Sequence, residues 1–211
     1  MTSFTPLESG GRYRDALKGV ITDPVNFFKA VPREGPLKRV LIFAISCHAL
    51  GIAVMMLCMA VFFTLFIGMI TQLDRHAGKD APPIWLFPLL FGGMALLSPL
   101  FAAINIFLYA ALDHLALVLL GGGGRGFETT LRAVCYAQGP LALGIVPLIG
   151  MQIGQIWSLV LRVMALKEMH EITLGKAIAA VILPIVALFC LIFGLYLLIV
   201  FMAVGAASMH G

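Results

Sequence analysis

Asn105, Tyr109 and Asp113 recur at every fourth position, so on a helix they share one face and form a polar stripe. Asp113 is followed by His114, an adjacent ionisable pair at the end of a long apolar run. Ionisable groups in such surroundings usually face the interior of a helix bundle or a water-filled path. Two roles follow: a proton or ion route, or a structural one in which water or Arg132 satisfies the carboxylate. A second polar set, Gln138, Gln152, Gln155 and Ser158, lies in another apolar stretch. Against lipid these groups would be costly, so they are expected to bond across helices or to line a small-molecule cavity.

Other patterns carry less chemistry. The run from Gly121 through Arg125 to Gly126 lacks the Gly-Lys-Ser/Thr ending and the preceding parallel strand of a phosphate loop, and reads as a turn with an Arg near lipid phosphates. Lys167, Glu168, His170 and Glu171 concentrate charge without His-Glu-x-x-His spacing and read as a solvated loop, with Lys167 and His170 open to partner contact. His48 is read as a hydrogen-bonded packing residue. Cys47, Cys58, Cys135 and Cys190 are far apart in sequence, with no paired ligand spacing, and are expected to be small packing residues. No nucleophile with a base and no zinc set emerges, so neither an enzyme nor a cofactor is expected.

The elements that position these residues are membrane helices. Apolar residues make up 61% of the 211 and charged ones 11%, too few for a soluble shell. The charges cluster, leaving four runs free of them: Val40 to Leu73, Ala81 to Leu112, Ala133 to Leu161 and Ala177 to Gly211. Each exceeds the roughly 20 residues that span a hydrocarbon core. The first 39 residues carry seven Lys or Arg and no apolar core of a signal peptide, so the N-terminus is expected to be retained. The net charge of +4 sits on the flanks of membrane segments, which points to anionic lipid and away from nucleic acid.

Basic residues beside spanning helices stay on the cytoplasmic side. Arg12, Arg14, Lys18, Lys29, Arg33, Lys38 and Arg39 precede the first run, which therefore goes outward; Arg75 and Lys79 follow it beside two aspartates. The second run returns to Arg125 and Arg132. The last begins after Arg162, Lys167 and Lys176, and no basic residue follows it, so the C-terminus is expected outside. The third run has basic residues on both flanks and 29 uncharged residues between Arg132 and Arg162, too few for two ordinary crossings. It is expected to be a short hairpin broken at Gly139-Pro140, Pro147 and Gly150, covered by protein inside the bundle.

The expected fold is an all-α polytopic membrane protein of five segments, about 40–70, 84–112, 133–147, 150–165 and 177–204, the third and fourth forming the hairpin. Pro99 is expected to kink the second. A single crossing of the third run is the rival. Residues 1–39 form a cytoplasmic segment whose apolar residues from Tyr13 to Val31 suit two short helices lying in the headgroup boundary, broken at Asp23-Pro24, with Phe27 and Phe28 dipping inward. That segment is either a lead-in to the first span or a surface for a partner. Gly51, Gly68, Gly92 and Gly93 would permit close helix contacts.

Leu119 to Gly124, Thr130-Leu-Arg-Ala-Val-Cys-Tyr-Ala-Gln-Gly-Pro140, Ile145 to Gly150, Leu166 to His170, Gly175 to Ala177 and the opening Asp23-Pro-Val-Asn-Phe-Phe28 resemble, in order and spacing, the YIP family of Ypt/Rab-interacting membrane proteins, and its bacterial-type members in particular. The resemblance covers most of the chain. It implies five membrane segments with a cytoplasmic N-terminus and an opposite C-terminus. In eukaryotes it implies association with Rab-type GTPases in Golgi and endoplasmic-reticulum trafficking. The Asp-Leu-Tyr-Gly-Pro motif of the eukaryotic members is not found and the N-terminal region is shorter, which argues against GTPase binding and for a bacterial inner-membrane protein. The expected function is a non-enzymatic scaffold or adaptor that self-associates or organises membrane partners or lipid. The alternative is a small channel or transporter with a path along Asn105, Tyr109, Asp113 and the hairpin glutamines.

Overall fold

The computed structural model describes residues 6–73 and 82–209; residues 1–5, 74–81, which include Arg75 and Lys79, and 210–211 lie outside it. A 3-10 turn at Leu7–Ser9 leads into two short helices, α1 (Tyr13–Thr22) and α2 (Pro24–Ala30). The break falls at Asp23, as its cap-and-proline signature predicts. The Asp23 carboxylate accepts from the Asn26 side-chain amide at 2.9 Å, and no backbone amide of the new helix bonds to it.

The first apolar run forms α3 (Lys38–Leu73), 36 residues long. At 1.5 Å per residue that is about 54 Å, more than a bilayer core requires. The second run is broken, not merely kinked: α4 (Leu86–Leu96) ends at Leu97, and α5 (Ser98–Leu119) restarts with Pro99 in its first turn, where a missing amide proton costs nothing. Stacking of Phe63 on Phe87 and Phe91, with centroids 5.7 and 5.5 Å apart, lays α4 along α3. Helix α5 runs through Asp113 and His114 to Leu119, beyond the expected end at 112, because a charge with a partner does not terminate a helix.

The third run folds as a hairpin. Helix α6 (Gly126–Ala137) passes at Gly139-Pro140 into a 3-10 segment (Gly139–Ile145), and α7 (Gly150–His170) returns. The arms are antiparallel: Thr130 bonds His170 near their open end, and Gly154 and Gly150 press against Pro140 and Leu143 toward the tip. Both arms extend beyond the expected 133–147 and 150–165, since α6 begins at Gly126 and α7 continues to His170. The residues expected to form a solvated loop, Lys167 to His170, are therefore helical, with Met169 and His170 buried.

The hairpin is seated against α3 by backbone contact. A Cβ on Gly144 would lie 2.5 Å from the Cα of Gly51, and one on Gly51 would lie 2.8 Å from the Leu141 carbonyl oxygen. Of the four glycines expected to allow close approach, Gly51 does so; Gly68, Gly92 and Gly93 have nothing within 4 Å of the same point. The tip, at Pro147 and Leu148, reaches the level of Val54 to Leu65 on α3.

Helix α8 (Leu174–Met209) contains Pro184. Its buried residues, Ala177, Ala180 and Val181, lie in its first two turns. From Ile185 to Met202 its large side chains are exposed on every face. An apolar helix without a protein partner belongs against lipid. Among the described residues three helices, Lys38–Leu73, Ser98–Leu119 and Leu174–Met202, are long and apolar enough to cross a membrane. The dense core sits at the opposite end of the molecule from the exposed half of α8, where α1 and α2 join the bundle: Leu7, Val20, Phe27, Phe28, Phe43, Tyr136, Leu161 and Leu166 are all buried there.

Candidate functional site

The polar chemistry gathers at this basic end. Asp113, with no exposed surface, receives both the Nε (3.0 Å) and an Nη (2.5 Å) of Arg162, a two-point pairing of carboxylate and guanidinium. The other face of that guanidinium lies over the Tyr109 ring, 4.6 Å from its centroid. Arg162 occupies the buried face of α7 with Ser158, Ala165, Leu166 and Met169, within the expected fourth segment. Arg132, expected beside water as one of two partners for Asp113, lies elsewhere.

Arg132 is itself fully buried and collects the N-terminal segment. Its guanidinium pairs with Glu8 (3.1 Å) and Glu128 (2.9 Å) and donates to the carbonyls of Pro32 (2.9 Å) and Gly35 (2.7 Å). One turn on, the Tyr136 hydroxyl donates to the other Glu8 oxygen at 2.7 Å and accepts from the Leu7 amide at 3.1 Å. Arg39 closes the strap by donating to the carbonyls of Leu7 (3.0 Å) and Gly11 (2.9 Å). Buried charges are tolerated only when paired and hydrogen-bonded in this manner.

Phe27 and Phe28 are each 1% exposed. They pack edge to face with one another (5.6 Å), and Phe27 does so with Tyr136 (5.1 Å). The pair was expected in the headgroup boundary; it anchors α2 in the protein core instead. A boundary helix must turn its apolar face to lipid, and here that face is taken by α7 and Tyr136.

Three helices meet at one hydroxyl. Thr130 on α6 lies 2.9 Å from His114 Nδ1 on α5 and 3.0 Å from His170 Nε2 on α7. The ring of Phe127 meets His114 edge to face at 5.6 Å. Burial pushes the His170 imidazole down to about 4, helped by the neighbouring His114 and Arg125 and opposed by the Gly122 backbone. Outside this cluster, Glu171 bridges Arg33 and Arg125. Its backbone adopts a left-handed conformation (φ 54°) to end α7.

The remaining expected site residues do not converge. Asn105 donates to the Phe101 carbonyl of its own helix at 2.9 Å. Gln152 and Gln155 lie on the exposed face of α7, and among the described residues no bond across helices holds them. Gln138 is 1% exposed, and neither side-chain amide atom has a partner among the described residues. Lys167 pairs with Glu168 at 2.6 Å. His48 is buried in α3, its Nδ1 unpartnered among the described residues, so the expected hydrogen bond is not found at that atom.

Glu8, Arg39, Thr130, Tyr136 and Arg162 were not singled out from the sequence as site residues, and Arg132 was named only as a partner for Asp113. Part of the set was findable: Glu128, Arg132 and Tyr136 are spaced by four, a second polar stripe. Glu8 had no local signal, because its partners are more than 120 residues away.

A bundle of apolar helices around a helical hairpin, with charges paired inside one end, defines an α-helical membrane protein. The Yip1 domain family model matches residues 18–196, and the chain belongs to that family. Searches of curated proteins and of solved structures find no match. The strap that carries Glu8 lies ahead of the matched stretch, whereas Arg132 and Tyr136 lie within it.

Proposed function

We propose that this Yip1-family chain is a non-enzymatic membrane scaffold or adaptor, which self-associates or gathers membrane partners or lipid through its basic end. One observation carries the reading: residues 6–39 are built into the bundle as a fixed cap. Between that cap and α7 lies an open cleft of about 790 Å³, rimmed by Lys29, Arg33, Glu34, Glu168 and Glu171. Such a mixed-charge rim suits recognition by a folded or extended partner.

The channel reading finds less support. The stripe residue with a full charge is neutralised side-on by Arg162, Asn105 is bonded within its own helix, and the two α7 glutamines face outward. In the proposed topology the hairpin arms supply the third and fourth of five segments. The basic end is cytoplasmic, the C-terminus lies opposite, and the membrane is a bacterial inner membrane. Its partners are the bilayer, other membrane proteins or a second copy; Rab-type GTPase binding is not proposed.

A photo-crosslinker placed at Glu34, on the cleft rim, tests the scaffold in native membranes. Discrete adducts to one protein or to a second copy are expected from Glu34 and not from Phe189, on the exposed part of α8. Absence of adducts, combined with proton or ion flux in liposomes that Asp113→Asn abolishes, would replace the scaffold with the channel.

A further inference from the structure

The glycine turn between α5 and α6, whose Gly122 backbone acts on His170, also walls a recess. Gly122 N donates to the Leu117 carbonyl at 2.7 Å and Gly121 N to that of Val118 at 3.0 Å, which reverses the chain tightly. Gly121 sits at φ 68°, a conformation that side chains resist. Across from the turn stands the start of α8. The space between, about 410 Å³, is bordered by the Gly121–Gly124 turn, Arg125, His170, Glu171, Thr173 and Lys176.

The recess is electropositive for three separate reasons. Arg125 and Lys176 both line it, and the one carboxylate among its lining residues, Glu171, is already shared between Arg125 and Arg33. The first amides of α8, at Leu174 and Gly175, lie where no intrahelical carbonyl reaches, and a long helix places partial positive charge there. Thr173 accepts weakly from the Lys176 amide at 3.4 Å, which leaves its hydroxyl proton to donate.

A buried group on the wall supplies an independent sign. His170 is 5% exposed; its Nε2 is held by Thr130, and its Nδ1 has no hydrogen-bond partner of normal geometry among the described residues. The Gly122 carbonyl acts on the ring from nearby without completing that bond. An imidazole nitrogen buried and unpaired beside a recess is a polar group awaiting an occupant.

We propose that this recess binds a phosphate group, held by Lys176, Arg125, the Thr173 hydroxyl and the first amides of α8, with His170 at its inner wall. Phosphate at a helix N-terminus needs no phosphate-loop motif. The site opens beside the exposed start of a membrane-crossing helix, so its phosphate comes either from a lipid headgroup or from solution. The proposal stands apart from the scaffold reading, since neither a partner protein nor a particular orientation enters it.

The test uses the full chain in nanodiscs. One arm has galactolipid, which carries no phosphate, and is titrated with inorganic phosphate; the other has the same galactolipid with increasing phosphatidylglycerol and no free phosphate. Thermal unfolding and the Nδ1 signal of His170 in ¹⁵N-histidine-labelled protein are followed in both. A saturable rise in unfolding temperature with a moving His170 signal is expected in at least one arm, and that arm identifies the source. Lys176→Gln, an exposed substitution that leaves the core intact, should weaken the apparent affinity at least tenfold, while Lys18→Gln, on the exposed face of α1, should leave it unchanged. No saturable response in either arm would overturn the site, as would equal loss in the two lysine variants.

Discussion

Asp113 and Arg162, 49 residues apart in sequence, meet with both carboxylate oxygens facing the guanidinium and no water-exposed surface on the aspartate. Removing one member of such a pair leaves the other charge buried alone, at a cost of about 3–5 kcal/mol, whereas replacing both by apolar residues of similar size is often neutral. Arg162→Met and Asp113→Leu are each expected to destabilise by that amount, and the double variant to recover most of the loss. A double-mutant cycle of unfolding in mild detergent checks this; additive losses would show that the two charges do not interact.

The crossing of Gly51 and Gly144 brings backbone against backbone with no flexible side chain to yield. Gly144→Ala is expected to lower stability by about 1–3 kcal/mol through displacement of the hairpin. Gly92→Ala, which meets nothing within 4 Å, is expected to be neutral or to stabilise α4 by up to about 1 kcal/mol. Thermal unfolding of the two variants in the same detergent separates the effects.

His170 is neutral in the fold and its pKa is lowered from 6.5 to about 4. The unfolded chain therefore takes up its proton first as pH falls. The contribution to stability is complete above pH 6.5, declines between 6.5 and 4 by about 1.4 kcal/mol per pH unit at most, and is gone below. Carboxylates titrate in the lower part of that window, so the informative quantity is the slope between pH 6.5 and 5. That slope should be shallower in His170→Gln than in the parent chain.

Glu8 holds the strap from inside, accepting from Tyr136 and pairing with Arg132. Glu8→Ala leaves Arg132 its bonds to Glu128, Pro32 and Gly35, so the bundle should survive while the strap detaches. Limited trypsin digestion is expected to cut at Arg12 and Arg14 at least tenfold faster in the variant, with membrane-embedded fragments unchanged. Equal cutting rates would mean that the strap is held by Arg39 and Leu7 alone.

Gln138 places two unpaired amide atoms in the core among the described residues. A buried polar group without a partner costs about 1–3 kcal/mol. Gln138→Met, close in shape, is expected to be neutral or to raise stability by about 1 kcal/mol. A loss above that, measured by chemical unfolding, would reveal a bound partner at the amide.

Much of the architecture was legible in local signals. The breaks at Asp23-Pro24, Gly139-Pro140 and Gly150 follow from backbone chemistry that neighbouring residues impose, and the return of the third run followed from basic residues on both flanks. The site was less legible, because the sequence shows that Asp113 needs a partner without showing which cation arrives. Arg132 was nearer in sequence, but Arg162 shares the buried face of α7. The same gap misplaced Phe27 and Phe28: an amphipathic stretch shows an apolar face, and only the tertiary structure decides whether lipid or Tyr136 covers it. The hairpin glutamines failed differently, since α7 turns Gln152 and Gln155 outward while Gln138, before the turn, goes inward.

The strap also orders events in time. Leu7 and Glu8 close on Tyr136, which is made 128 residues after Glu8. At about 5–20 residues per second, the ribosome takes roughly 6–25 s to synthesise that interval. Throughout it the N-terminal segment has no finished seat, and Leu7, Phe27 and Phe28 stand uncovered beside the nascent chain. A targeting factor or chaperone that reads this segment therefore has a window of seconds, which shuts once α6 and α7 are made and the cap locks down.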